Sequence, residues 1–286
     1  MKKVIMYLFI ILITLTTMGC EYKEVKEQSK TQSISTSTDN TENQVIDENN
    51  EYLQNLQLLK DEMKKMNSSL SPKDTYYVCS LVNKYMLEVL NEKDSLDMQP
   101  EDILGTNSNY YIKISETVTI DKLSYRLIEF GLKEIKMGGI VKIYLQCWDD
   151  EKKLNVQEIH ELNITESVNS ILYSNILYLE ENYYVLIAEK LYDTENTYIN
   201  FLTFKHQGNK WTVYNGISNI DKDNWLLEKH EGGFSITNEI VTDVEQYDYS
   251  LSLIDNKLII NVVDEKDNVL GTLELRFVND NWINEL

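Results

Sequence analysis

Residues 177–211 read LYLEENYYVLIAEKLYDTENTYINFLTFKHQGNKW, and residues 251–282 read LSLIDNKLIINVVDEKDNVLGTLELRFVNDNW. Each stretch runs through an apolar segment, an acidic-Asn pair, a second apolar segment, another such pair, a long alternating segment and a turn ending in Trp. The pairs at Glu181-Asn182, Glu195-Asn196, Gly208-Asn209, Asp255-Asn256, Asp267-Asn268 and Asp280-Asn281 hold residues that tolerate positive φ, which tight hairpins require. Between them, β-branched and aromatic residues favour strands. The pattern predicts a three-strand antiparallel meander used twice. Two copies make a sheet or a sandwich and are too few for a closed propeller.

Upstream, the period is also two. YYIKISETVTI (110–120), LSYRLIEF (123–130) and GIVKIYLQCW (139–148) read as strands, with the KMGGI stretch (136–140) as a hairpin turn. No Pro follows residue 100, so no strand is disqualified on that ground. Earlier still the period is helical. Leu53, Leu56, Leu59, Met63 and Met66 mark one face of a first helix. Ser71 as cap, Pro72 at the first helical position and Asp74 three residues on open a second. Its stripe is Tyr77, Leu81, Tyr85 and Val89, and EKDSLDMQPED (92–102) breaks it. The expected class is α+β: two N-terminal helices followed by antiparallel β-meanders, in a curved sheet or sandwich, with a mainly β C-terminal half. Residues 51–165 form the α+β region and 166–286 the meander region. Gly208, Asn209 and Trp211, taken with the Ser71-capped helix, resemble the last hairpin of NTF2-like and cystatin-like α+β families. That resemblance implies helices on one face of a curved sheet, and no ligand.

The first fifty residues have a different composition. Lys2 and Lys3 precede an uncharged apolar run, Val4 to Leu15, too short to cross a hydrocarbon core that takes about 20 helical residues. This is the physical description of a secretory leader. Together with Gly19 and Cys20 it resembles a bacterial lipoprotein precursor, although Thr17 stands where Leu is usual and Met18 is larger than typical. The resemblance implies cleavage after residue 19 and acylation of Cys20. It places the protein on the extracytoplasmic face of the cell membrane, with the membrane itself as a partner through the lipid anchor. Several acyl chains hold a protein stably where one gives marginal binding. Residues 20–50 are polar and too poor in apolar groups to order themselves, a stalk with a reach of about 30 Å. Arg126 and Arg276 are the only arginines, and Asn, Ile, Lys and Tyr abound, as in low-GC Gram-positive proteins.

A net charge of −20 without Lys/Arg clusters excludes nucleic acid as a partner. Cys79 and Cys147 either pair or lie as buried free thiols. His160, His206 and His230 lack metal-ligand spacing, and the EIHEL segment lacks the second His of a zincin helix, so neither metal nor cofactor is expected. Acidic clusters at 149–151, 193–195, 221–223 and 264–267 read as turns ahead of calcium loops. Nineteen tyrosines favour strands and also mark interfaces. Tyr183, Tyr184, Tyr247 and Tyr249 are the candidates for a ligand or partner surface. The functional expectation is a non-catalytic binding or accessory module for an extracellular protein or small ligand. A glycan hydrolase using two carboxylates, and an inhibitory or immunity-type lipoprotein, are the alternatives.

Overall fold

A computed structural model describes residues 50–284 apart from 67–69, 108, 133–138, 165–168, 193–196, 209, 219, 221 and 240–246. The leader, the stalk, Cys20, the turn at Glu195-Asn196 and most of the KMGGI turn lie outside the described residues.

Two long helices open the body. α1 (Glu51–Lys65) starts where the Asn50 side chain accepts the Leu53 N–H, and it buries Tyr52, Leu56, Leu59 and Met63. α2 (Pro72–Leu90) begins at Ser71, whose hydroxyl oxygen accepts the Asp74 N–H at 3.2 Å. Its buried stripe is Val78, Val82, Met86 and Val89, rotated from the expected one; Tyr76 and Tyr77 are each 64% exposed. Both stripes satisfy the 3.6 period. The compact aliphatic one lets the helix approach the sheet closely, and the tyrosines keep their hydroxyls in water. A one-turn helix, α3 (Pro100–Leu104), follows.

The rest is strand. β1 (Tyr110–Ile114), β2 (Val118–Ile120), β3 (Leu123–Leu132), β4 (Gly139–Trp148) and β5 (Leu154–Ile164) make sheet 1, in the order β1-β3-β4-β5 with β2 also pairing β3. Sheet 2 holds β6 (Ser170–Leu179), β7 (Asn182–Tyr192), β8 (Thr197–Gln207), β9 (Lys210–Val213), β10 (Trp225–His230) and β11 (Gly233–Asn238), in the order β10-β11-β8-β7-β6 with β9 on β8. Sheet 3 is β12 (Tyr247–Ile254), β13 (Lys257–Asp264), β14 (Val269–Val278) and β15 (Asn281–Asn284), in chain order. Every named pairing is antiparallel. Two-residue hairpins with both residues at positive φ recur at Asp121-Lys122, Glu180-Glu181, Asp255-Asn256 and Asn279-Asp280. Such turns match the right-handed strand twist.

Strands take up 57% of the described residues and helices 21%. The α+β expectation is therefore corrected: the protein is mainly β, three stacked antiparallel sheets with one helical layer. Two helices do precede the strands. What the sequence pattern concealed is the number of sheets, because stacking is decided by which faces are buried.

Three cores define the stack. The first joins Leu59, Met63, Val82, Met86 and Leu90 of the helices to Ile112, Ile128, Phe130 and Tyr144 of sheet 1. The second lies between sheets 1 and 2, where Leu127, Ile143 and Leu145 meet Val185 and Ile187. The third puts Leu186, Ala188 and Phe201 of sheet 2 on Leu258, Ile260 and Leu275 of sheet 3. Adjacent residues of β7 thus enter different cores, as a strand buried on both faces requires. Cys79 sits in the first core and Cys147 beside the second, on opposite faces of sheet 1, so both thiols are free. Burial pushes the Cys79 thiol up to about 11.

Arg126 fastens the short 3-10 helix after α2, Lys93–Asp97, to sheet 1. Its guanidinium donates to the Ser95 carbonyl (2.6 Å), the Leu96 carbonyl (3.2 Å) and Gln146 Oε1 (2.7 Å). Gln146 in turn donates to the Leu90 carbonyl at 2.7 Å. The charge is buried among backbone carbonyls that accept its N–H groups, which stabilises it there.

Candidate functional site

The β7 face that packs on sheet 1 through Val185 and Ile187 continues with Glu189 and Leu191. Glu189 is 3% exposed, and a carboxylate so buried requires partners for both oxygens. His160 Nε2, from β5 of sheet 1, lies 2.7 Å from Oε2. The Asn200 amide nitrogen, from β8, donates to Oε1 at 2.6 Å. That fixes the orientation of the amide, whose Oδ1 then accepts Nε2–H of His230 on β10 at 2.6 Å. When His230 is neutral its Nδ1 is the remaining acceptor. The Asn215 side chain holds the His230 carbonyl at 2.9 Å.

Register explains how these residues meet. Glu189 opposes Asn200, Asn200 opposes Ser235, and Ser235 opposes Glu228. The next row is Leu191, Tyr198, Thr237 and Leu226. Paired residues share a face, so the two rows form one side-chain surface. Leu191, Tyr198, Asn200, Glu228, His230, Ser235 and Thr237 line a depression of about 460 Å³ on it. That falls within the range of small-ligand sites. Neither Lys nor Arg lines it among the described residues.

Two carboxylates stand at the ends of the polar row, Glu189 and Glu228. Three inter-strand steps separate their backbones by about 14 Å. Both oxygens of Glu189 are engaged, by His160 and Asn200.

The tyrosines singled out from the sequence are distributed elsewhere. Tyr183 is half-buried against Tyr178, ring centroids 4.8 Å apart, with Tyr178 itself 60% exposed. Tyr184 is 1% exposed in the core between sheets 2 and 3. Tyr249 is 4% exposed; its hydroxyl accepts the Asn238 N–H at 2.9 Å and donates to the Thr197 carbonyl at 3.2 Å. Tyr247 is half-buried against the same core. Buried rings such as Tyr184 and Tyr249 present no surface, and none of the four lines the depression.

Tyr184 instead belongs to a clasp between the two meanders. The Glu180 carboxylate accepts the backbone N–H groups of Asn279 (3.0 Å) and Asp280 (3.1 Å). Asp280 takes the Lys205 ammonium at 2.6 Å and the Tyr184 hydroxyl, which together hold its pKa below the usual carboxylate range. Lys205 lies 5.5 Å and 5.6 Å from the ring centroids of Tyr184 and Tyr214. Every group in the clasp is satisfied from within, which marks it as structural.

The remaining features are likewise local. His206 packs edge-on against Tyr125 and Trp211, and burial lowers its pKa. Asp149 and Asp264 accept backbone N–H groups of their own turns, the former from Glu151 and Lys153, the latter from Lys266 and Asn268. Among the described residues no three His, Cys, Asp or Glu side chains converge as a metal ion would need.

No protein-family profile matches the sequence, and no curated protein matches it. The depression therefore rests on its own chemistry. No local motif joins its residues, because Glu189, Asn200, Ser235 and His230 come from four strands. The available signal was Glu189 directly after VLIA, and Asn200 and Ser235 interrupting YINFLTF and GFSIT.

Proposed function

We propose that the protein is an extracytoplasmic lipoprotein, anchored through Cys20, whose folded body is a non-catalytic binding or accessory module. Lys2, Lys3, the Val4–Leu15 run and the Gly19-Cys20 pair support the anchor. No helix among the described residues is long and apolar enough to cross a membrane. The binding reading is carried by the depression on sheet 2. Its floor is held in place by the Glu189–Asn200–His230 chain, and such preorganisation lowers the cost of ligand capture. Glu189, whose two oxygens are taken by His160 and Asn200, is held as part of the floor, which supports binding over hydrolysis by a Glu189–Glu228 pair.

Mass spectrometry of the mature N-terminus checks the anchor, with an acylated Cys20 expected and an unmodified residue there contradicting it. Photo-crosslinking on native membranes, with the reactive group at position 198, checks the module. Recovery of a discrete adduct is expected, and it should vanish when the group is moved to Glu274 on the outer face of sheet 3. Equal recovery from both positions would overturn the reading.

A further inference from the structure

The depression is wide, shallow and arranged as a grid. Its polar row, Asn200–Ser235–Glu228, runs beside a mixed row, Leu191–Tyr198–Thr237, on β7, β8, β11 and β10. Rows on one face of a strand pair lie about 7 Å apart and span about 14 Å across four strands, enough for roughly two linked pyranose rings. Four properties narrow the ligand. Hydroxyls of Ser235 and Thr237 both donate and accept, as a ligand rich in hydroxyl groups needs. The exposed Glu228 carboxylate is an acceptor for adjacent hydroxyl groups. The Tyr198 ring, with Leu191 beside it, offers an apolar surface to the C–H face of a sugar. Among the described residues no Lys or Arg lines the floor, and the chain is strongly acidic, so phosphate, nucleic acid and acidic polymers are disfavoured.

We infer that this depression binds an uncharged, polyhydroxylated chain, a neutral glycan, with Glu228 accepting from its hydroxyls and Tyr198 under its ring face. The inference rests on the binding-module reading and supplies its ligand class. Asn200 and His230 act as positioning residues: both are tied into the chain that ends at Glu189, so the floor keeps its shape when empty.

The test is a titration of the full chain, followed by amide NMR, with two neutral probes: a β-1,4-linked glucose tetramer and a β-1,4-linked N-acetylglucosamine tetramer. The two arms separate a plain hexose chain from an amino-sugar chain as the source. The expected result is saturable binding of at least one tetramer, with shifts confined to β8, β10 and β11 around Tyr198, Glu228 and Ser235. Glu228→Gln, a nearly isosteric change at an exposed site, should weaken it at least tenfold, as should Tyr198→Ala. Glu274→Gln on sheet 3 should leave it unchanged. Absence of shifts with both tetramers at millimolar concentration, shifts centred elsewhere, or unchanged affinity in Glu228→Gln would each overturn the inference. A membrane adduct at position 198 without tetramer binding would refute the ligand class and leave the module reading standing. Cleavage of a bound tetramer would uphold the ligand class and refute the non-catalytic reading.

Discussion

The two meanders share a topology and differ in burial. β6–β9 and β12–β15 each contain a two-residue hairpin at positive φ and end in a long strand followed by a short one. Yet β7 is buried from Tyr184 to Glu189 without a break, whereas β14 alternates from Leu273 to Phe277. The first meander lies between two sheets and the second covers one. Position in the stack, and not hairpin chemistry, decides whether a strand reads as a continuous apolar run or as an alternation. It also decides where a site can form, because only a face that begins in a core and continues beyond it combines a rigid floor with access. Sheet 2 has such a face, and its polar end is the depression.

Glycines separate the two sheets most sharply. Gly233 opposes Leu202, and a Cβ there would stand 1.8 Å from the Phe201 carbonyl oxygen. A Cβ on Gly271 in β14 would meet nothing nearer than Asn238 Nδ2 at 3.8 Å. Gly233→Ala should therefore cost about 3 kcal/mol or more in urea unfolding, since neither backbone can yield cheaply. Gly271→Ala should stay within about 1 kcal/mol of the parent. Equal costs would show that the close approach of the β8 backbone does not set Gly233 apart.

The clasp between the meanders gives a smaller effect with a pH signature. Asp280 is hydrogen-bonded by Lys205 and Tyr184, and its pKa is lowered from 3.8. A depressed carboxylate stabilises the fold above its unfolded pKa, and that contribution is lost as pH falls through the lower folded value. Asp280→Asn should cost about 1 kcal/mol at neutral pH, the side chain being partly exposed and screened. It should also flatten the loss of stability below about pH 4. An unchanged acid limb in a pH series of chemical unfolding would show that the clasp carries no charge-dependent energy.

Least of all, the hairpins differ in residue choice. Glu181 holds φ 67° in the first meander and Asn256 holds φ 62° in the second. Glu tolerates the left-handed region less well than Asn. Glu181→Gly should raise stability by about 0.5–1 kcal/mol, and Asn256→Gly by less, as read from thermal midpoints.

These contrasts show which features were legible in the sequence. The Asp255-Asn256 turn falls where the residue pair announced it, because positive φ is a local demand that residue chemistry states directly. The turns at Glu180-Glu181 and Asn279-Asp280 sit one residue earlier than expected, since acidic residues and Asn both satisfy that demand. The α2 stripe was ambiguous between Tyr77-Leu81-Tyr85 and Val78-Val82-Met86, and tertiary packing chose the smaller side chains. Alternation guarantees that Tyr183 and Tyr184 face opposite sides, but only the stacking of sheets tells which side is core. The same holds for the site. His160 reaches Glu189 because sheet 1 lies over sheet 2 in one particular register, and no local pattern encodes that meeting.

The central claim is that sheet 2 is buried on both faces and sheet 3 on one. A parallel scan tests it most directly: Asp placed singly at each position from Tyr184 to Ala188 in β7, and from Leu273 to Phe277 in β14, with stability read by urea unfolding. All five β7 substitutions are expected to cost at least about 3 kcal/mol, each burying an unpaired charge. In β14 the cost should alternate, large at Leu273, Leu275 and Phe277 and much smaller at Glu274 and Arg276. Alternation in β7, with Val185 and Ile187 tolerating Asp, would contradict the account.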